Sequence, residues 1–186
     1  MAENSPKKWL NLEEHFFAQM DQQLLEKLRK EQSITQTAES IMKITGITDE
    51  KVAADLAGVG ITIETLTAFR LVPLVAVAWA DDRLEANERD AVLLAAEKAG
   101  IDPAEPAMTM LKSWTTKRPS ADLLDVWCHY SKSLAASLNG PTRTVLQKEV
   151  VEQVETVARS SGGVLGFGSI SASEKAIIAR VKDALD

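Results

Sequence analysis

Four carboxylates lie within eight residues of one another near the middle of the chain, and they are the strongest candidates for chemistry in the sequence. They are Asp81, Asp82, Glu85 and Glu88. Because hard divalent cations bind oxygen ligands, several carboxylates on one turn could hold Ca²⁺ or Mg²⁺. The spacing differs from that of an EF-hand, which needs an Asp-x-Asp-x-Asp-Gly run and a distant glutamate. The cluster is therefore a candidate cation or ligand site of another type.

The same acidic residues have a structural alternative. Glu85 and Glu88 lie at the predicted start of a helix, where the helix dipole favours each negative charge by ~0.3–1 kcal/mol. A glutamate at the third helical position can also accept a hydrogen bond from the backbone N–H of the capping residue. The residues alone leave open whether the turn binds a ligand through Asp81 and Asp82 or only caps a helix.

The acidic turn belongs to a passage that occurs twice, at residues 78–88 and 158–174, with six extra residues in the second copy. In each copy an apolar helix ends, a short polar loop follows, and an aliphatic residue, Leu84 or Ile170, precedes a new helix. Each new helix carries a glutamate three residues inside its cap. This self-similarity predicts a duplicated helix-loop-helix unit, and we expect the two copies to superpose about a pseudo-twofold axis.

Helical spacing extends along almost the whole chain, and no alternating run is bounded by hairpin signals, so the sequence predicts an all-α fold. Helices are predicted at about 11–31, 35–45, 49–58, 63–80, 86–99, 103–116, 121–138, 142–160 and 172–185. Three tripeptides predict tight corners between helices, because glycine can end a helix and Thr or Asp can cap the next one. They are Gly46-Ile47-Thr48, Gly60-Ile61-Thr62 and Gly100-Ile101-Asp102.

Other residues mark helix ends and breaks. Asn11, Asp102 and Ser171 each precede a glutamate by three positions, a pattern that predicts a helix start. Pro73 falls inside the predicted 63–80 helix, where it removes a backbone hydrogen bond, so we expect a kink or break at residues 70–72.

Composition restricts the class of protein. The 186 residues are 45% hydrophobic and 26% charged, as in ordinary folded domains, and the net charge of −6 argues against nucleic acid as a partner. Cys128 is the only cysteine, so no internal disulfide can form, and we expect it to be buried in a helix. No secretion signal or membrane span is evident, which leads us to expect a cytoplasmic protein.

Residues 78–88, read as Ala-Trp-Ala-Asp-Asp-x-Leu-x-x-x-Glu, resemble the signature of the TerB-like tellurite-resistance family, Ala-x-x-Asp-Gly-x-Ile-x-x-x-Glu. Residues 162–174 resemble the second half of the same domain, and the two matches together cover about residues 66–186. The resemblance carries the family's acidic site over to Asp81 and Glu88 only. Asp82 stands where the family usually has glycine.

The resemblance implies a helical bundle of TerB-like type at residues 62–186, preceded by an additional N-terminal helical segment at residues 1–61. It also implies a non-enzymatic binding or scaffold module of a bacterial stress response, with a protein partner that could be associated with the inner membrane. Two alternatives remain: a purely structural helical interaction domain, and a metal-dependent hydrolase that uses the acidic turn. The sequence does not determine the oligomeric state.

Two further segments have more than one interpretation. Residues 11–31 form an amphipathic pattern with Phe16, Phe17, Met20, Leu24 and Leu28, which we expect to pack on the protein's own domain. Self-association and contact with a partner or membrane are the alternatives. The glycine-rich residues 162–168 lack the Gly-Lys-Ser/Thr ending of a phosphate-binding loop. We expect Leu165 and Phe167 in this loop to fill a gap in the core, with an exposed docking loop as the alternative.

Overall fold

A computed structural model of the chain describes the backbone of residues 6–160 and 170–186, and within these ranges the side chains of residue 16 and of residues from 18 onward. Every regular element in these ranges is helical, which confirms the all-α prediction. The α-helices are α1 (Pro6–Thr45), α2 (Glu50–Gly58), α3 (Leu66–Phe69), α4 (Val72–Ala78), α5 (Ala86–Lys98), α6 (Pro106–Thr116), α7 (Asp122–Ser137), α8 (Gly140–Ser160) and α9 (Ala172–Asp183). The six extra residues of the second repeat, which include Leu165 and Phe167, lie outside the described residues.

The first helix, α1, is continuous over 40 residues, so the prediction of separate helices at 11–31 and 35–45 is wrong. The polar residues between them do not end the helix, and Thr35 Oγ1 donates to the carbonyl of Glu31 at 3.0 Å within it. Asn11 is also not a helix cap, since α1 begins at Pro6, and proline is favoured in a first turn.

The three predicted corners are present. Gly46, Gly60 and Gly100 have φ values of 74°, 84° and 80°, the left-handed conformation that ends a helix. After the second corner, the N–H of Ile61 donates to the carbonyl of Leu56 at 3.0 Å, which closes the last turn of α2. The glycines therefore fix the directions of successive helices, as their positions in the sequence predict.

The helix starts after two of these corners differ from the prediction. Asp49, one residue beyond Thr48, caps α2 by accepting hydrogen bonds from the N–H groups of Lys51 and Val52. Helix α6 begins at Pro106 and not near residue 103. Glu105 precedes this proline and has an extended backbone, with ψ of 148°, because the proline ring disfavours helical geometry in the residue before it.

The predicted helix at 63–80 is interrupted, as Pro73 indicates. It consists of a 3₁₀ helix at Ile63–Thr65 followed by α3 and α4, with the break at residues 70–71. Pro73 lies in the first turn of α4, where its missing N–H leaves no intrahelical bond unmade. The break allows α4 to take a direction different from that of α3.

Helix α4 forms the centre of the core. Six of its side chains are buried, and it packs against α5, α7, α8 and α9. Next to it, the rings of Phe69 and Tyr130 meet edge to face with their centroids 5.5 Å apart. The acidic turn directly follows α4, so a well-buried helix fixes the position where the turn begins.

The core crosses the predicted boundary at residue 61. Ile41, Leu56 and Ile61 are fully buried in the same cluster as Phe69 and Leu74. The end of α1 and all of α2 therefore pack with the rest of the fold. The division of the chain into residues 1–61 and 62–186 stays a prediction.

In the part of the chain that the structure describes, no single helix combines the length and the apolar character needed to cross a bilayer. Helix α2 and the Ile63–Phe69 segment meet that test only as a pair, and the pair is bent by 80°.

Candidate functional site

The acidic turn connects α4 to α5, and Asp82 has its most unusual backbone. Asp82 has a φ of 66°, and it is the one non-glycine residue with a positive φ in the described ranges. Its N–H donates to the carbonyl of Trp79 at 3.1 Å, and its carboxylate forms an ion pair with Arg118. Asp82 thus adopts the left-handed conformation that glycine favours, at the position where the TerB-like signature has glycine.

Asp81 stabilises the same turn from the preceding position. Its exposed side chain accepts a hydrogen bond from the N–H of Arg83 at 3.1 Å. Aspartate side chains commonly make this contact to the backbone two residues further on, and it fixes the path of a turn. Asp81 therefore has a local structural role, and its carboxylate also faces solvent.

Glu88 differs from the other three carboxylates because it is buried, with only 3% of its surface exposed. Its Oε2 accepts a hydrogen bond from the N–H of Glu85 at 2.9 Å, the backward contact that the sequence predicts. Burial raises the pKa of Glu88 to about 7, and the negative charges of Asp81, Glu174 and Glu85 add to this effect. The hydrogen bond from Glu85 acts in the opposite direction and is too weak to offset burial.

Glu174 makes the equivalent contact in the second repeat. Its Oε2 accepts from the N–H of Ser171 at 2.5 Å, and its own N–H donates to Ser171 Oγ at 3.2 Å. Like Glu88, it is buried. The predicted cap at Ser171 and the equivalence of the two glutamates are confirmed, and in both repeats the glutamate fixes the start of the second helix.

The packing of the two repeats is compatible with the predicted duplication. Helix α4 packs against α9, and α8 packs against α5, so the first helix of each repeat contacts the second helix of the other. The two first helices, α4 and α8, also pack against each other. A twofold exchange of the repeats requires this pattern. The superposition of the two copies stays a prediction.

The four predicted metal ligands have different partners in the structure. Glu88 turns inward to the backbone, Asp82 pairs with Arg118, Asp81 accepts from Arg83, and Glu85 is exposed at the start of α5. Among the described residues, no three His, Cys, Asp or Glu side chains are grouped so that they could hold a metal ion. Ca²⁺ or Mg²⁺ binding stays a prediction.

Sequence reasoning missed two arginines that form ion pairs across the fold, one of them with the acidic turn. Arg118 and Arg180 lie at the edge of a cavity of about 150 Å³ whose apolar wall includes Val75, Leu124 and Ile177. Each arginine is paired with a carboxylate distant in sequence, Arg118 with Asp82 and Arg180 with Asp125. No spacing in the sequence signals either pair, because the partners come from different helices or loops.

His129 and Cys128 do not join the acidic turn. His129 lies on α7 beside α2, and the side chain of His15 is outside the described residues. Cys128 is buried, as predicted, and burial raises the pKa of its thiol. Among the described side chains, His129 and Cys128 add no nucleophile or general base to the carboxylates of the turn.

The N-terminal part of α1 is the other candidate functional surface. Every residue from 18 to 33 is exposed, and burial along α1 begins at Ile34. Met20, Leu24, Leu25 and Leu28 are each about half exposed. The expectation that this amphipathic segment packs on its own domain is wrong for these residues. The core of the domain is filled by later helices, so the apolar face of α1 projects beyond it.

Comparison of the chain with protein-family models, with curated proteins and with solved structures finds no match. The TerB-like resemblance therefore rests on the residues of the two repeats.

Proposed function

We propose that this chain is a non-enzymatic binding module that engages a protein partner through the exposed N-terminal part of α1. The observation that carries the proposal is the run of half-exposed apolar residues Met20, Leu24, Leu25 and Leu28 on a helix that extends past the core. Contiguous exposed apolar surface is costly in water and is typical of an interaction site. An amphipathic helix is also a common element of protein recognition.

The contacts at the acidic turn support a structural role for its carboxylates in this proposal. Asp82, Asp81 and Glu88 all have charge or hydrogen-bond partners within the protein. A hydrolytic site would need carboxylates directed at a substrate or a metal-bound water. The turn instead positions α5 against α4 and so helps to build the scaffold that holds α1.

The physiological setting comes from the resemblance to the TerB-like family. On that basis we propose a cytoplasmic protein of a bacterial stress response such as tellurite resistance, with a partner that could be located at the inner membrane. The acidic composition, with a net charge of −6, supports a protein partner in preference to nucleic acid.

Site-specific photo-crosslinking in cells tests the proposal. A photoreactive amino acid replaces Leu24 in one variant and Leu94 in a matched control, because Leu94 is also a half-exposed leucine but lies on α5. We expect covalent adducts of higher mass from position 24 and none from position 94. Equal yields at the two positions, or no adduct at position 24, would reject α1 as the binding surface.

A further inference from the structure

The exposed part of α1 carries a stripe of apolar side chains spaced by four residues. Met20, Leu24 and Leu28 follow one another at this interval, which places them along one face of a helix, and Leu25 lies beside them. Their exposed fractions lie between 49% and 56%. We call these four residues the α1 stripe. Its uniform exposure indicates that the domain itself leaves this face uncovered.

Charge is unevenly distributed along the same helix after Lys7 and Lys8, which lie in its first turn. Residues 11–21 contain three acidic residues and no lysine or arginine, whereas residues 22–31 contain the basic Lys27, Arg29 and Lys30 together with Glu26 and Glu31. One end of the segment is therefore acidic and the other is mainly basic. Two such segments attract each other when they run in opposite directions and repel each other when they run in the same direction.

Resting on the function proposed above, we infer that the partner covering the α1 stripe is a second copy of this chain, aligned antiparallel. In this arrangement the twofold axis lies near Gln22, so that Met20 of one copy meets Leu24 of the other. The acidic end of each helix then lies along the basic end of its partner. The apolar contact supplies affinity, and the charge pattern sets the direction of the pairing.

The charge pattern argues against a lipid bilayer as the occupant. Helices that bind at membrane surfaces carry mainly lysine and arginine on their polar face, because cell membranes present anionic lipids. The acidic residues at 11–21 would be repelled by such a surface. The same residues are attracted by the basic end of a second α1. A second copy of the chain is therefore the favoured occupant.

Sedimentation equilibrium of the full chain tests the inference, with Leu24→Glu as the variant and Leu94→Glu as the matched control. We expect a dimer for the parent and the control, and a dissociation constant raised by about tenfold or more in Leu24→Glu. Circular dichroism of each variant verifies that the helices remain folded. A parent dimer that Leu24→Glu leaves unchanged would place the interface elsewhere and overturn the inference.

The direction of pairing has its own test. Antiparallel pairing predicts weaker association at high salt, whereas parallel pairing predicts stronger association. The variants Glu14→Lys/Asp21→Lys and Arg29→Glu/Lys30→Glu should each dimerise poorly alone and should dimerise with each other when mixed. Association that strengthens with salt would overturn the antiparallel arrangement.

A monomeric parent separates the two proposals. If the parent remains a monomer at about 100 µM, self-pairing is overturned. Crosslinking from position 24 then decides the binding function. An adduct with another protein keeps α1 as a protein-binding surface, whereas capture by anionic vesicles that Leu24→Glu abolishes would replace the protein partner with a membrane. A monomer with neither result would overturn both proposals.

Discussion

Glu88 and Glu174 occupy the same position in the two repeats, and each is a buried carboxylate that turns back to accept a backbone N–H three residues earlier. The distances are 2.9 Å from the N–H of Glu85 and 2.5 Å from the N–H of Ser171. The charge on Glu174 also raises the pKa of Glu88, so the two caps are close enough to interact. The duplication therefore brings two acidic groups into one region of the core.

The raised pKa of Glu88 predicts a pH dependence of stability. Glu88 holds its proton up to about pH 7 in the folded protein, whereas its usual pKa is 4.5, so the unfolded chain releases the proton at lower pH. The free energy of unfolding should therefore fall by about 1–3 kcal/mol as the pH rises through this window, and the loss should end above it. Replacing Glu88 by Gln removes this loss, since the amide oxygen can still accept from Glu85.

Urea unfolding at about pH 5 and about pH 8 measures the effect on the parent, Glu88→Gln and Glu85→Gln. Glu85 is the matched control because it lies on the same turn but is exposed. We expect Glu85→Gln to keep most of the parental pH dependence, because burial is the main cause of the raised pKa of Glu88 and the charge of Glu85 makes the smallest contribution. An unchanged pH dependence in Glu88→Gln would show that other groups cause it.

The backbone of Asp82 predicts that glycine stabilises this position. Its left-handed φ of 66° costs a residue with a Cβ about 1 kcal/mol, and its exposed ion pair with Arg118 contributes about 0–1 kcal/mol. Asp82→Gly should therefore be neutral or more stable by up to about 1 kcal/mol. Asp82→Ala should be less stable than the parent, because it keeps the backbone strain and loses the ion pair.

Thermal unfolding of these variants and of Arg118→Gln separates the two contributions. Arg118→Gln removes only the ion pair and should cost less than about 1 kcal/mol. If Asp82→Gly and Asp82→Ala are equally unstable, the ion pair and not the backbone conformation controls the turn.

A hydrogen bond from Trp79 joins the start of the acidic turn to α6, and we expect it to contribute to stability. The Trp79 Nε1–H donates to the backbone carbonyl of Trp114 at 2.8 Å. Trp79→Phe removes the donor and should lower the free energy of unfolding by about 1–2 kcal/mol. In Trp114→Phe the carbonyl acceptor remains, so the hydrogen bond is kept. Denaturant unfolding measures the stability of both variants. If Trp79→Phe is as stable as Trp114→Phe, or more stable, this role is contradicted.

Calorimetric titration tests the predicted metal site. If Ca²⁺ or Mg²⁺ binds near Asp81, the affinity should be weak, and Asp81→Asn should reduce it more than Glu174→Gln does. The reason is that Asp81 is exposed, whereas Glu174 is buried against Ser171. Equal losses in the two variants, or no heat of binding at millimolar ion, would leave the turn with a structural role only.

The sequence by itself determined those features that depend on residues a few positions apart. Glycines at the helix corners, Pro73 at the break before α4, and the backward contacts of Glu88 and Glu174 all follow from local backbone geometry. Local signals were insufficient where two helix starts competed. Helix α6 begins at Pro106, although the sequence predicted a start near residue 103. Helix α1 continues through a polar segment where the sequence predicted a break.

Only the tertiary structure decided which groups meet across the fold and which remain uncovered. The ion pairs of Asp82 with Arg118 and of Asp125 with Arg180 join residues from separate elements, and the raised pKa of Glu88 depends on burial by helices packed around it. The sequence predicted the amphipathic pattern of α1, but it did not predict that the apolar face would be exposed. A helical pattern shows which face is apolar, whereas the packing of all the other helices determines whether that face is covered.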